Sequence, residues 1–259
     1  MYTKQSNMVV NICGVNIHNF TLSEAIERID SLTVADSFSL VATPNIDHVI
    51  RLQKDIDFMK AYNESAIVFP DSMPILWAAK FLGTPFKEKI SGSDLFPKLC
   101  EVASQKGRKV FFLGGREGAA TKSVEILVGK FPDLQVVGTY CPPFGFEHDE
   151  QENRKVIEII QKAKPDILFV GLGAPKQEKW ICKYKDQYQV PVSIGIGGSL
   201  EFVSGMVKRA PKWMQNAGLE WFWRLIMEPR RLWKRYLIDD PIFFWLVLKQ
   251  KFSKECITK

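Results

Sequence analysis

The 259-residue sequence is poor in histidine and has no clustered cysteine. His18, His48 and His148 are too scattered for metal-ligand spacing, and the five cysteines (Cys13, Cys100, Cys141, Cys182, Cys256) are odd in number and include no Cys-x-x-Cys pair. Neither a zinc site nor a disulfide frame is indicated, and reduced thiols in a cytoplasmic protein are expected. No apolar run approaches the roughly 20 residues that span a bilayer as a helix. The longest late one, Ile242 to Leu248, could dip into an interface but not cross it. Met1 to Asn7 lead into a short apolar stretch with polar interruptions, so no signal peptide and no export are expected. Internal repeats and low-complexity tracts are absent. No strand runs into a Gly-x-Gly-x-x-Gly turn with an acidic residue about 20 positions on, which argues against a nicotinamide-dependent oxidoreductase. The suggestive Asp-x-Asp, Asp55-Ile56-Asp57, falls in a helical pattern with Lys54 and Lys60 and reads as a solvated face.

Apolar residues make up 46% of the chain, enough for one large domain or a domain with an appendage. The charge is unevenly placed. Residues 205–259 hold twelve Lys/Arg against five Asp/Glu, a local +7 within a whole-chain +6, which leaves about −1 for residues 1–204. Ten aromatics are interleaved with those cations, as in Trp221-Phe222-Trp223-Arg224 and Pro229-Arg230-Arg231-Leu232-Trp233-Lys234-Arg235-Tyr236. Such a segment suits an anionic, partly greasy surface, a phospholipid leaflet bearing a phosphorylated lipid. Core packing of Trp221, Phe222 and Trp223 is the alternative. Nucleic acid is the other anionic partner to weigh, but the rest of the chain contains no recognised binding module, and none is expected to bind.

From residue 36 to 198, short β-branched runs alternate with stretches of helical period. Phe38–Thr43, Ala66–Phe69, Lys109–Gly114, Leu134–Tyr140, Asp166–Gly171 and Pro191–Ile196 read as strands, several of them apolar throughout, as expected inside a sheet covered on both faces. Ile46–Tyr62, Pro74–Leu82, Asp94–Lys106, Ala119–Phe131, Glu150–Lys164 and Lys176–Gln187 read as helices, and Thr21-Leu22-Ser23-Glu24 is a capping box opening an earlier one. The alternation predicts an α/β fold with a Rossmann-like, mostly parallel sheet flanked by helices. After Gly205 the pattern is helical, broken at Pro211, Pro229 and Pro241, so a basic helical carboxy-terminal appendage (205–259) is expected to follow an α/β core (1–204).

Open α/β sheets bind ligands beyond the carboxyl ends of their strands. Four loops there carry polar chemistry. Thr43-Pro44-Asn45 either caps the next helix or bonds a sugar or phosphate. Asp71, before Ser72-Met73, is a helix cap or a general base that takes a proton from an acceptor hydroxyl. Gly114-Gly115, at the end of a strand and before a helix, allows close backbone approach to a phosphate or diphosphate. Gly171-Leu172-Gly173-Ala174-Pro175-Lys176-Gln177-Glu178 sets a tight turn with Gln177 in the first helical turn, either as a solvated helix start or within reach of a ligand.

Thr43-x-Asn45, Asp71, Ser91-Gly92-Ser93-Asp94-Leu95, Phe-Leu-Gly114-Gly115, Gly173-x-Pro175-Lys176-Gln177-Glu178, Gly197-Gly198, Arg209-Ala210-Pro211 and Gly218-Leu219-Glu220-Trp221 through Glu228-Pro229-x-Arg231 occur in one order. Together they resemble the WecG/TagA/CpsF family of glycosyltransferases over roughly residues 9 to 240. The resemblance implies an inverting enzyme without an obligatory metal or cofactor. It would move a sugar, with N-acetylmannosamine favoured, from a UDP-sugar to a lipid-diphosphate-linked acceptor at the inner membrane face, in cell-surface polymer synthesis. It implies Asp71 as the base, Thr43, Asn45 and Gln177 at the transfer site, Arg224 and Arg231 on the acceptor's diphosphate, and Arg209 among the substrate-binding residues. Two positions depart from the family pattern. Ser72 follows Asp71 where many members carry glycine, which could put a hydroxyl on the sugar and leaves glucose or another hexose as the alternative donor. Lys89 stands where arginine is common, keeping the charge for a diphosphate without the bidentate geometry. Self-association through an apolar patch under a movable tail remains open, as does a membrane- or nucleic-acid-binding protein without transferase activity.

Overall fold

The computed structural model describes residues 8–35 and 37–253. Its centre is a six-stranded sheet of β3 (Ser39–Ala42), β4 (Ile67–Val68), β5 (Lys109–Gly114), β6 (Gln135–Tyr140), β7 (Ile167–Gly171) and β8 (Val192–Gly195). The strand order is β4-β3-β8-β7-β5-β6 and every pairing is parallel. This is the expected α/β arrangement. Alternate residues of the inner strands feed opposite faces. Val110, Phe112, Ile167 and Phe169 join one buried cluster, while Phe111, Leu113, Leu168 and Val170 join another. That two-sided burial is why these strands are apolar throughout.

The first face is covered by α1 (Leu22–Leu32), α5 (Gly92–Lys106) and α6 (Ala119–Lys130), and the second by α7 (Glu150–Ala163) and α8 (Lys176–Tyr188). Thr21 and Glu24 form the reciprocal capping box anticipated for α1. Helix α5 is capped by Ser91, whose Oγ accepts from the Asp94 N–H, and it ends at Gly107 in the left-handed conformation. The single helix expected over Ile46–Tyr62 is instead two, α2 (Ile46–Leu52) and α3 (Ile56–Asn63). Asp55 caps the second and pairs with Lys179 at 2.7 Å, so the Asp55-Ile56-Asp57 triplet marks a helix start.

An unanticipated hairpin precedes the sheet. Strands β1 (Val9–Ile12) and β2 (Val15–His18) pair antiparallel across a Cys13-Gly14 turn with φ of 50° and 86°. Both values are positive, as a two-residue turn that matches strand twist requires. Val10, Ile12, Val15 and Ile17 point from it into a third cluster, with α2, α3 and α4 (Met73–Leu82).

Beyond β8 come α9 (Ser199–Val203), α10 (Lys212–Asn216), α11 (Glu220–Met227), α12 (Pro229–Lys234), a π-helical turn (Arg235–Asp239) and α13 (Ile242–Phe252). Helix α13 docks on the third cluster: Phe243 and Val247 are buried in it, and the Gln250 side chain accepts from the Cys13 N–H at 2.7 Å and donates to the Asn11 carbonyl at 2.9 Å. The first hairpin and the last helix are therefore packed together, and helices α9 to α12 lie over the carboxyl edge of the sheet. No helix among the described residues is long and apolar enough to cross a membrane.

Candidate active site

Because the strands are parallel, their following loops gather along one edge, where backbone bonds cross-link them. The Asp71 N–H donates to the Pro44 carbonyl at 3.0 Å, joining the loops after β3 and β4, and the Gly115 N–H donates to the Gly171 carbonyl at 2.8 Å, joining those after β5 and β7. Gln177 ties the β7 and β8 loops, its Oε1 accepting from the Gly173 and Gly197 N–H groups at 3.1 Å each. Its amide donates to the buried Glu178 at 2.8 Å. A Cβ on Gly195 would lie 2.5 Å from Gln177 Nε2, so only glycine leaves room for this clasp.

Two cavities open above these loops. The first, about 280 Å³, is polar and is floored by Thr43, Asn45, Gly92, Gly173, Gln177, Gly197 and Gly198. Its walls bring Arg51, Arg116, Arg224, Arg231 and Arg235 together with four carboxyls, Asp47, Asp71, Glu201 and Glu228. The second, about 360 Å³, is mainly apolar and lies between α4 and the carboxy-terminal helices, against Met73, Trp77, Trp221, Tyr236 and Phe244. Asp71 lines both, as do Asn45, Ser93, Arg224 and Arg235.

Asp71 keeps partial access to cavity space, but its carboxyl is walled by protein and gains no hydrogen bond from the described residues. Burial pushes its pKa from 3.8 to about 8, with Glu220 and Asp94 adding to the rise and Lys89 and Arg224 opposing it. A carboxyl so placed takes up a proton near neutrality and can return it, which is the property of a general base matched to its working pH. Arg224 makes no ion pair among the described residues. Its guanidinium lies 5.9 Å from the Phe202 ring centroid, and its Nε is buried without a hydrogen-bond partner. With Asp71 it lines both cavities. At the rim Arg231 pairs with Glu228, and Arg116 meets the same carboxylate at 2.8 Å.

The sequence profile of the glycosyl transferase WecG/TagA/CpsF family matches residues 10–256. The chain belongs to this glycosyltransferase family. Among its relatives, the N-acetylglucosaminyldiphosphoundecaprenol N-acetyl-beta-D-mannosaminyltransferase of Bacillus subtilis (strain 168) is 32% identical over 253 residues, covering 97% of this chain and 94% of the relative. The Bacillus spizizenii protein of the same name is 32% identical over 215 residues, covering 83% and 80%. That of Staphylococcus aureus (strain MW2) is 29% identical over 248 residues, covering 93% of each.

On this family scaffold the residues singled out from sequence fall into three groups. Thr43, Asn45, Asp71, Gln177, Arg224 and Arg231 converge on the polar cavity. Asn45 is also the cap of α2, its Oδ1 accepting from the His48 N–H at 3.3 Å and from Arg235 at 3.0 Å, so capping and site roles coincide. Lys89 and Arg209 sit together elsewhere, in a quartet with two carboxylates. Arg209 meets Asp94 at 2.8 Å and Glu220 at 3.3 Å, and Lys89 meets the same pair at 3.7 and 3.5 Å. The quartet straps α11 onto the Ser91-to-Asp94 segment, and of its two cations only Lys89 lines a cavity, the apolar one. Gly114 and Gly115 line neither cavity; a Cβ on Gly114 would lie 2.7 Å from the Gly171 carbonyl oxygen, so close backbone approach accounts for the glycine there.

Several lining residues escaped the sequence reading. Arg235 bonds Asn45 and lies 3.8 Å from Asp47, which also holds Arg51 at 3.0 Å. His48 is buried, 2.8 Å from the Tyr62 hydroxyl, and burial lowers its pKa to about 3, so it is neutral. Asp240 is buried against the apolar cavity, where burial raises its pKa to about 7. The π-helical turn that aims Arg235 and Asp240 inward has no signature in helical periodicity.

Proposed function

We propose that this chain transfers N-acetylmannosamine from UDP-N-acetylmannosamine to N-acetylglucosamine carried on undecaprenyl diphosphate, with inversion at the transferred carbon. The position of Asp71 on the wall shared by the two cavities carries this reading. The names of relatives matched over nearly the whole chain support the donor and acceptor. In this scheme the arginine-rich polar cavity takes the donor's diphosphate. At pH 7 Asp71 is mostly protonated, and its minor ionised form accepts the proton of the acceptor hydroxyl as that oxygen attacks the sugar. Arg224, with Arg235 and Arg231, stabilises charge gathering on the departing UDP, so no metal is required for that step. Thr43 and Asn45 hold the donor sugar, and Gln177 acts at one remove by fixing the glycine turns beneath it.

The second element is location. Trp213, Trp233, Trp245, Leu237 and Phe252 are exposed along the carboxy-terminal helices, among the basic residues that give this region its charge. Aromatic rings beside Lys and Arg favour an anionic lipid interface, each cation adding about 1 kcal/mol, which would bring the site to a lipid-borne acceptor. Mass spectrometry of the product formed from an equimolar mixture of UDP-sugars and a short-chain lipid-diphosphate-N-acetylglucosamine tests the reading. Addition of one N-acetylhexosamine, traced to the manno donor, is expected; addition of a hexose would move the assignment to the glucose alternative, and no addition from any donor would overturn it.

A further inference from the structure

The apolar cavity holds an unusual set of buried polar atoms. Ser72 Oγ, Arg224 Nε, Arg235 Nε and both carboxyl oxygens of Asp240 are enclosed without a hydrogen-bond partner, and all four residues line this one space. Asp240 is the most costly of them. It is 3% exposed, and its nearest cation, Arg235 Nε, is 3.9 Å away, beyond hydrogen-bond length. A carboxyl left in that state loses its hydration without compensation unless a ligand supplies donors. Around it stand the rings of Trp77, Trp221, Tyr236 and Phe244.

Three parts of the acceptor could occupy the space. An isoprenoid chain would suit the rings but leave the Asp240 oxygens dry. A diphosphate would be repelled by the carboxylate. A pyranose satisfies both features, since its C–H faces pack on aromatic rings while its hydroxyl and acetamido groups donate hydrogen bonds. We propose that Asp240 is a specificity residue for the acceptor sugar, accepting hydrogen bonds from a hydroxyl or the acetamido N–H and holding that sugar in the apolar cavity with Asp71 at its edge. This assignment rests on the transfer reading given above for the identity of the acceptor. It also gives the donor and acceptor separate cavities that meet at the base.

Equilibrium binding without donor separates this idea from the reaction itself. The full chain in detergent, with Asp240→Asn and Asp240→Ala variants, is titrated with a short-chain lipid-diphosphate-N-acetylglucosamine, with its single-deoxy and deacetamido analogues, and with the same lipid diphosphate lacking sugar. Loss of a hydrogen bond to a charged group is worth about tenfold to a hundredfold in affinity. The variants should lose that much for the complete acceptor and nothing for the sugar-free lipid or for UDP-N-acetylmannosamine. One analogue should bind the wild type as weakly as the variants bind the complete acceptor. Because the substitutions remove a buried unpartnered carboxyl, both proteins should melt at or above the wild-type temperature. Equal acceptor binding by wild type and variants overturns the proposal. So does an equal loss for donor and acceptor, which would reduce Asp240 to a positioning partner of Arg235. Intact, Asp240-dependent binding without any sugar transfer would instead sink the reaction and leave the subsite standing.

Discussion

Replacing Asp71 by asparagine should stabilise the protein while removing its activity, and the two effects share one cause. The folded state moves this carboxyl's pKa from 3.8 to about 8, chiefly through burial. The native protein therefore holds a proton that the unfolded chain releases between those values. Stability from this group falls as pH rises through that window, the reverse of a salt-bridged aspartate. Each pH unit inside the window contributes at most about 1.4 kcal/mol, giving a ceiling of about 4 kcal/mol at pH 7. Access of cavity water to Asp71 reduces this, so a gain of about 1–2 kcal/mol is expected for Asp71→Asn at pH 7. Urea unfolding of both proteins at pH 4, 6 and 8 measures it. The variant's advantage should be smallest at pH 4 and largest at pH 8, and transferase turnover should fall by about a hundredfold to ten-thousandfold, the usual worth of a general base. A stability difference that does not change with pH, or a variant less stable at pH 8 than at pH 4 relative to wild type, would refute the burial argument.

Four further outcomes follow from the same geometry. The kcat/KM of the free enzyme should rise with pH through an apparent pKa near 8, the value for Asp71; a plateau extending down to pH 5 would rule out this carboxyl as the base. Phe243→Ala should cost about 3–5 kcal/mol in urea unfolding because the ring is fully buried in the third cluster, where α13 packs on α2 and α4, whereas Phe244→Ala, half exposed, should cost far less. Gly195→Ala should force Gln177 from its two backbone bonds and cost about 1–3 kcal/mol, with a matching fall in kcat. Arg224→Ala should raise the KM for the UDP-sugar and lower kcat while leaving the melting temperature nearly unchanged, since that guanidinium makes no ion pair among the described residues.

The sheet was legible because its inner strands are buried on both faces and so carry unbroken apolar runs such as Val110 to Leu113 and Ile167 to Val170. The hairpin was not. Its strands are four residues long, and its turn places Cys13 where asparagine or aspartate would have announced it. Breaking of the Ile46–Tyr62 pattern at Asp55 was hidden because helix α3 continues the helical period after a cap that reads equally well as a surface acid. Within the site, residues at strand ends could be found from local pattern: Thr43, Asn45, Asp71 and Gln177 all reach one cavity. Arg235 and Asp240 could not, because they arrive from the far end of the chain at a π-helical turn, and Arg235 meets Asn45 and Asp47 about 190 positions earlier in sequence. The family resemblance, rather than a local signal, put Lys89 and Arg209 among the substrate-binding residues; their two carboxylate partners, Asp94 and Glu220, lie in separate segments brought together only by folding.

The most direct test of the central assignment is release of UDP from UDP-N-acetylmannosamine by the full chain, with and without a short-chain lipid-diphosphate-N-acetylglucosamine, in detergent and EDTA, for wild type and Asp71→Asn. Acceptor-dependent release by the wild type, undiminished by EDTA and lost in the variant, is the predicted result. Equal turnover by both proteins would contradict the role of Asp71, and release that needs no acceptor would contradict the transfer itself.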